Sequence, residues 1–475
     1  KEILEAFRQI SVIPRGSKNE AKIAQYLLDW ANSHNFNAKK DNVNNVLIEV
    51  SATAGYENSP VVVLQGHMDM VCEKTPDSPH DFTKDPIELV YEGEWLHANK
   101  TTLGADNGIA IAMAMVLALD KEIAHPPLEL LFTVDEEQGL IGANALWSDF
   151  VKGRILLNLD SEDEGVFTIG CAGGRDTHIQ LKTRFIKLDE TYKVFNLKAG
   201  GMRGGHSGVN INEERANAII ILARALHSIK SKSPVFISSI TGGTAHNAIP
   251  RDAECTFFIL QNFQTEANQI VKEMENVFKN EFKNTDADLF LKFEPVELKK
   301  RRAMTAESSA KIIDLLIALP HGVSAMSTDM KGLVETSNNL ASIRTEKNLV
   351  KIVTSQRSSI MSRLHALTYK VETIARLASA EAISSKGYPS WQPNVNSPLL
   401  ARMINLYKEL FGKEPVVESI HAGLECGIIG DKYPGMDMIS FGPTIKNPHS
   451  PDEIIHIESI SKVWRLLTAV LASFK

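Results

Sequence analysis

A chain of 475 residues is too long for one hydrophobic core, and at roughly 100–200 residues per domain it is expected to divide into two or three. Its 58 acidic and 51 basic residues leave a net charge of −7, without the electropositive bias that phosphate binding demands, so no nucleic-acid partner is expected. The longest apolar run, "GIAIAMAMVLAL" at 108–119, falls short of the roughly 18 residues that span a bilayer, so no membrane partner is expected either.

At the start of the chain, "KEILEAFRQISVIPRG" spaces its apolar residues for a helix and lacks the continuous apolar stretch of a signal peptide, which predicts a cytoplasmic protein. Cys72, Cys171, Cys255 and Cys426 form no C-x-x-C pair, so they are expected to be reduced and mostly buried. From 60 to about 180, short apolar runs alternate with helical patterns. "VVVLQG" (61–66), "LELLFTV" (128–134) and "ILLNLD" (155–160) read as strands of a mainly parallel sheet. Helices are expected from "GADNG" onward and around "IGANALWSDF". After "GCAGGRDT" (170–177) polar alternating strands take over: "THIQLKTRFIKL", "YKVFNLKAGG", "AECTFFIL", "ADLFLKFEPVEL" and "LVKIVTSQRSS". Helices at about 213–230, 265–282 and 363–380 lie between them. The Pro- and Asn-rich "GYPSWQPNVNSPLL" (387–400) reads as a linker returning to the first sheet.

The predicted fold is therefore α/β: a mainly parallel-sheet catalytic domain (1–182 and 389–475) interrupted by an inserted α+β lid domain (183–388). The inserted region is long enough to be two similar halves.

In an open parallel sheet, ligands bind where the strands end. Here the first strand ends in His67 and Asp69, the second in Glu136 and Glu137, and the third in Asp160, while Asp106 sits in the turn "TLGADNG". Carboxylates gathered at one edge repel one another unless cations are present. Histidine, Asp and Glu without thiolates suit catalytic zinc, with manganese or cobalt as substitutes. Five protein ligands sharing two ions through one carboxylate leave positions open for water and substrate. The missing histidine is best sought at His449, in the Pro-rich stretch at 440–457.

"GHMDMV", "TLGADNG", "TVDEEQG", "NLD" and "PHSPDE" resemble, in order, the ligand motifs of the di-zinc aminopeptidase, carboxypeptidase and aminoacylase family. "QGHMDMVCEK", "GGHSGVNI" and "HAGLECG" resemble its aminoacyl-histidine (Xaa-His) dipeptidase branch. The resemblance implies that His67, Asp160 and Asp106 hold one Zn2+ and that Glu137, His449 and the bridging Asp106 hold the other. Asp69 would orient His67. Glu136 would be the general base that generates a metal-bound hydroxide. In the lid it implies that His206 donates to the oxyanion, and that Asn247 and Arg357 hold the substrate's carbonyl or terminal carboxylate. The lid would then close for turnover about hinges near 175–188 and 385–398. His206 would come either from a neighbouring subunit of a homodimer or, since this lid is long, from the same chain.

At 421–427, "HAGLECG" departs from the Gly-Thr-Asp or Gly-Thr-Ser motif common elsewhere in the family. Gly423 would let the backbone approach the substrate there, and His421 and Glu425 would recognise it. The expected reaction is metal-dependent hydrolysis of small dipeptides, preferably Xaa-His such as carnosine. A related aminoacylase or tripeptidase is the alternative, and a metal-retaining protein without turnover a more distant one. Single residues have ordinary readings too: a lone buried histidine for His67, a turn histidine for His206, a surface ion pair for Arg357. His80, His97, His125, His246 and His456 are read as structural or surface residues.

Overall fold

The computed structural model describes all 475 residues. The chain divides into two units, Lys1–Cys171 with Trp391–Ser419 and Leu424–Lys475, and Ala172–Ser390 with Ile420–Gly423.

The first unit is built on an eight-stranded sheet. Its strands run in the order Asn37–Lys40, Val46–Val50, Leu128–Thr133, Val62–His67, Ile155–Asn158, Asp437–Ser440, Val166–Cys171 and Val416–Ile420. The four strands from Leu128–Thr133 to Asp437–Ser440 are parallel, in a register that sets Thr133 beside His67 and Asn158 beside Gln65. Their side chains are buried on both faces, which is why their sequences read as continuous apolar runs. The flanking strands Asn37–Lys40, Val46–Val50 and Val166–Cys171 pair antiparallel, so the sheet is parallel at its centre and mixed overall. The Ala105–Leu119 helix is buried nearly all round, as its unbroken apolar sequence requires. Glu2–Ser11 packs on it through Ile3, Phe7 and Ile10. Three of the four cysteines are buried, none is in a disulfide, and no helix is long and apolar enough to cross a membrane.

The second unit carries a nine-stranded sheet ordered Phe290–Pro295, Tyr192–Gly200, Ala253–Leu260, Phe236–Gly242, Val334–Glu346, Leu349–Ser358, Gly173–Lys182 and Glu381–Ser384, with Gly322–Met326 paired to Val334–Glu346. All its pairings are antiparallel. The sheet is two halves joined at a short seam, where Phe236–Gly242 meets Val334–Glu346 only through Thr241↔Arg344 and Gly242↔Ile343. Ala218–Lys230 and Gln264–Glu281 cover the first half and Met361–Leu377 the second.

Three readings of the sequence are revised. Gly173–Lys182 pairs along its whole length with Leu349–Ser358, so the unit boundary falls before this strand and not at 182. The helix Ala306–Ala318, capped by Thr305 Oγ accepting from Ser308 N, was not anticipated. Nor was Val334–Glu346, whose Asn and Ser residues disguise a buried strand.

Candidate metal centre and substrate-binding groups

The parallel strands of the first unit deliver their ends to one edge. His67 closes its strand, Glu136 and Glu137 follow Leu128–Thr133, and Asp160 follows Ile155–Asn158. Asp106 opens the Ala105–Leu119 helix, and His449 sits in the loop between Ile445–Lys446 and Ile454–His456. His67 Nε2 lies 3.0 Å from Asp106 Oδ1 and 3.3 Å from Asp160 Oδ1. His449 Nε2 lies 3.1 Å from Asp106 Oδ2 and 3.0 Å from Glu137 Oε2. Asp106 thus presents one oxygen to each histidine, the geometry of a bridging carboxylate.

On the far side of His67, Nδ1 lies 3.3 Å from Asp69 Oδ1. The Asp69 carboxylate accepts from Ser17 Oγ at 2.8 Å and from the backbone N–H groups of Glu136 at 3.0 Å and Glu137 at 3.3 Å. One buried carboxylate therefore fixes both the imidazole and the loop carrying the paired glutamates.

The donor set fits two divalent cations. His67, Asp106 and Asp160 form one group whose ligand atoms lie within 4.8 Å of one another, and Asp106, Glu137 and His449 form another. Glu137 Oε1 is buried without a hydrogen-bond partner, which is costly unless a cation meets it. The electrostatics agree. Hydrogen bonds to Asp106 and Glu137 push the His449 imidazole up to about 11. Burial opposes protonation of His67, yet Asp160, Asp106 and Asp69 together raise it well above the usual histidine value. Burial holds the Asp160 carboxyl at about 6, and Glu136 rises well above the usual carboxylate range through burial and the charges of Asp160, Glu425 and Glu137. Asp106, between the two imidazoles, is instead held low by them, and the cluster as a whole carries an excess of negative charge that cations would offset.

Two neighbours refine the expected set. Glu425 is 1% exposed, and its Oε2 accepts from Gln65 Nε2 and Thr133 Oγ1, both at 2.6 Å. It ties two neighbouring strands together, while its Oε1 is buried without a hydrogen-bond partner. Glu162, read in sequence as part of a solvated acidic run, is pushed up to about 8 by burial and by Asp106 and Asp160. Its position two residues beyond Asp160 in "DSEDEG" was the available signal.

In the second unit, His206 lies in a two-residue strand paired with Ala248–Ile249. Its Nδ1 accepts from the N–H groups of Gly208 at 3.2 Å and Val209 at 3.1 Å, so the ring proton sits on Nε2, free to donate. Burial, with Arg357 and His246, lowers its pKa to about 4, so the ring is neutral near pH 7. Arg357 is 6% exposed; Nη1 donates to Tyr388 Oη at 2.9 Å, and its buried Nε–H has no partner. The Tyr388 ring takes the space beside Gly423, where a Cβ would lie 2.7 Å from it. His421 is buried, with Nε2 2.7 Å from Ser337 Oγ. Asn247 is exposed, and its carbonyl accepts from Ser207 N at 2.8 Å. His246 pairs with Asp176 at 2.9 Å. Arg357 is thus a buried cation whose charge adds to burial in holding the neighbouring His206 and His421 neutral.

The sequence profile of the peptidase family M20/M25/M40 matches residues 63–473. The chain belongs to this family. The M20 peptidase is 40% identical to the cytosol non-specific dipeptidase of Escherichia coli over 467 residues, 98% of this chain and 96% of that one. Among solved structures it is similar to the aminoacylhistidine dipeptidase of Vibrio alginolyticus, with a TM-score of 0.93 and 38% identity covering 99% of this chain and 96% of that one. A tripeptidase of Staphylococcus aureus shares the fold at a TM-score of 0.57 and 16% identity, covering 100% and 98%. The M20 peptidase is accordingly a hydrolase of peptide bonds.

Burial and then Arg357 hold His421 down to about 3. An unfolded histidine titrates near 6.5, so between pH 6.5 and about 3 the unfolded chain binds a proton the folded chain refuses, and stability falls as the pH falls. Each such histidine contributes a slope of up to about 1.4 kcal/mol per pH unit. Melting temperatures measured from pH 7 to pH 4 at fixed metal should fall less steeply in His421→Gln than in the parent; an unchanged slope would assign the acid sensitivity elsewhere.

Proposed function

We propose that this M20 peptidase is a two-cation dipeptidase, with Xaa-His dipeptides such as carnosine among its preferred substrates. The observation that carries the reading is Asp106, with one carboxylate oxygen on each of two histidines. His67, Asp160 and Asp106 would hold one cation, and Glu137, His449 and Asp106 the other. When bound, the cations supply Lewis acidity that polarises the scissile carbonyl and acidifies water.

The chain's own groups do the rest. Asp69 holds the His67 ring through Nδ1. Glu136 takes the proton from the attacking water and passes it to the leaving amine nitrogen as the C–N bond breaks, so no covalent enzyme intermediate forms. His206 donates its Nε2 proton in a hydrogen bond to the carbonyl oxygen as negative charge builds there. Arg357, with a buried N–H group unsatisfied, is suited to the carboxylate that every dipeptide carries. The name of the full-length Escherichia coli relative, and that of the Vibrio alginolyticus structure, support dipeptides as the substrate class.

The test is hydrolysis of carnosine, Gly-His, Gly-Leu, a tripeptide and an N-acetyl amino acid by chelated enzyme, before and after zinc, manganese or cobalt is restored. Activity should vanish on chelation and return on dipeptides. Equal rates on Gly-Leu and Gly-His would remove the histidine preference. Turnover confined to the acyl amino acid or the tripeptide would overturn the dipeptidase reading.

A further inference from the structure

Two buried ions of opposite sign grip the loop that carries Asp106. Arg15 is 2% exposed, and its Nη1 donates to the carbonyls of Met68 and Asp69, both at 3.0 Å, while Nη2 donates to the carbonyl of Gly104. Glu453, also 2% exposed, takes the amide side of the same loop. Its Oε2 accepts from Leu103 N at 2.7 Å and Gly104 N at 3.0 Å, and its Oε1 from Ala105 N at 2.8 Å and Asp106 N at 3.4 Å. The two residues attract each other electrostatically through the peptide they share. Space is reserved for the guanidinium, since a Cβ on Gly104 or Gly108 would stand 2.5 or 2.6 Å from Nη2.

The connectivity is the telling part. Arg15 joins the loop after His67 to the Asp106 loop, and Glu453 joins the His449 loop to it. The ligands of both proposed cations are thereby registered against the one carboxylate they share. Neither ion reaches the cluster as a ligand, and neither is accounted for by the mechanism above.

We infer that Arg15 and Glu453 are positioning residues that set the separation and affinity of the two cation sites by holding the Asp106 loop from its carbonyl and amide faces. The inference rests on the two-cation reading. Outer partners of metal ligands typically contribute tenfold to hundredfold in affinity. A buried charge that accepts backbone N–H groups also stabilises a fold, so the test must separate the two roles. Glu129 is the matched control. It is 2% exposed and accepts from Lys152 N and Gly153 N, both at 2.9 Å, but from the Leu128 end of its strand, opposite the metal edge.

Full-length Arg15→Lys, Glu453→Gln, Glu453→Asp and Glu129→Gln are made metal-free and titrated with zinc against a chromophoric chelator, with melting curves alongside. The expected result is a loss of tenfold to hundredfold in zinc affinity for at least one ion in Arg15→Lys and Glu453→Gln, and in Glu453→Asp, which keeps the charge but shortens the reach. Glu129→Gln should bind zinc like the parent whatever its melting temperature. Parent-like affinity in the Arg15 and Glu453 variants, or an equal loss in Glu129→Gln, overturns the inference. If Glu453→Gln does not fold, Arg15→Lys and Glu453→Asp decide it alone. A parent chain that takes up fewer than two ions overturns the underlying two-cation reading, and that is measured before any variant.

Discussion

Glu136→Gln is expected to lower kcat by roughly 10³-fold, about 4 kcal/mol of barrier, with both cations retained. The backbone N–H of Glu136 is tied to Asp69 Oδ1, so the loop and its neighbour Glu137 should stay in place when the side chain becomes an amide. The amide is close to isosteric but accepts no proton. One observation makes metal content the deciding measurement. An oxygen of Glu136 also lies within 4.8 Å of ligand atoms of His67 and Glu137, so the residue has the geometry to share a cation with them. Loss of a cation together with activity would make Glu136 a ligand and leave the base to be found. Loss of activity at full occupancy establishes it as the base.

His206→Ala should reduce kcat by about 10²- to 10³-fold with KM and metal content little changed, because a hydrogen bond that strengthens only as the oxyanion forms contributes to the transition state alone. The structure restricts how the ring acts. With Nδ1 occupied by two backbone N–H groups and its pKa lowered to about 4, it is a neutral Nε2–H donor through the neutral range and does not serve as a general base. Arg357→Ala should behave oppositely, raising KM for dipeptides more than it lowers kcat. Mixing Glu136→Gln with His206→Ala sorts the two lid arrangements. Recovered activity assigns His206 to a neighbouring chain's centre, and none assigns it to its own.

The acidic edge of the first unit's sheet was legible because burial and charge conflict there. A strand that is apolar throughout and ends in His67 and Asp69 requires a partner, and the same sign repeats at Glu136, Glu137 and Asp160. That Asp106 bridges was implied by family resemblance; its two oxygens lie 3.0 and 3.1 Å from His67 and His449. The residues that support the edge were not legible. Arg15 and Glu453 act on backbone atoms far along the chain, and backbone leaves no trace in residue type. Glu425 looked like a substrate contact because a carboxylate in a loop motif suggests exposure, yet it is buried, with Oε2 held by Gln65 and Thr133 and Oε1 without a hydrogen-bond partner.

In the second unit the apolar strand Ala253–Leu260 was read to the residue. Val334–Glu346 escaped because its buried polar side chains bond to side chains and backbone of other elements: Asn338 accepts from Gln356, Asn339 donates to the carbonyl of Ala248, and Ser337 pairs with His421. Periodicity reports hydrophobic burial, and this strand buries hydrogen bonds instead.

The parallel centre of the first sheet has a consequence for the order of events in synthesis. Asp437–Ser440 lies directly against Ile155–Asn158, and the loop just after it supplies His449, while the entire second unit lies between them in the chain. A ribosome making this protein from its amino end releases His67, Asp106, Glu137 and Asp160 long before His449, the last member of the proposed ligand set. Contacts of such long sequence separation form late. The proposed ligand set is therefore assembled among the last events of maturation, and a half-made chain carries three of its carboxylates and one imidazole without His449.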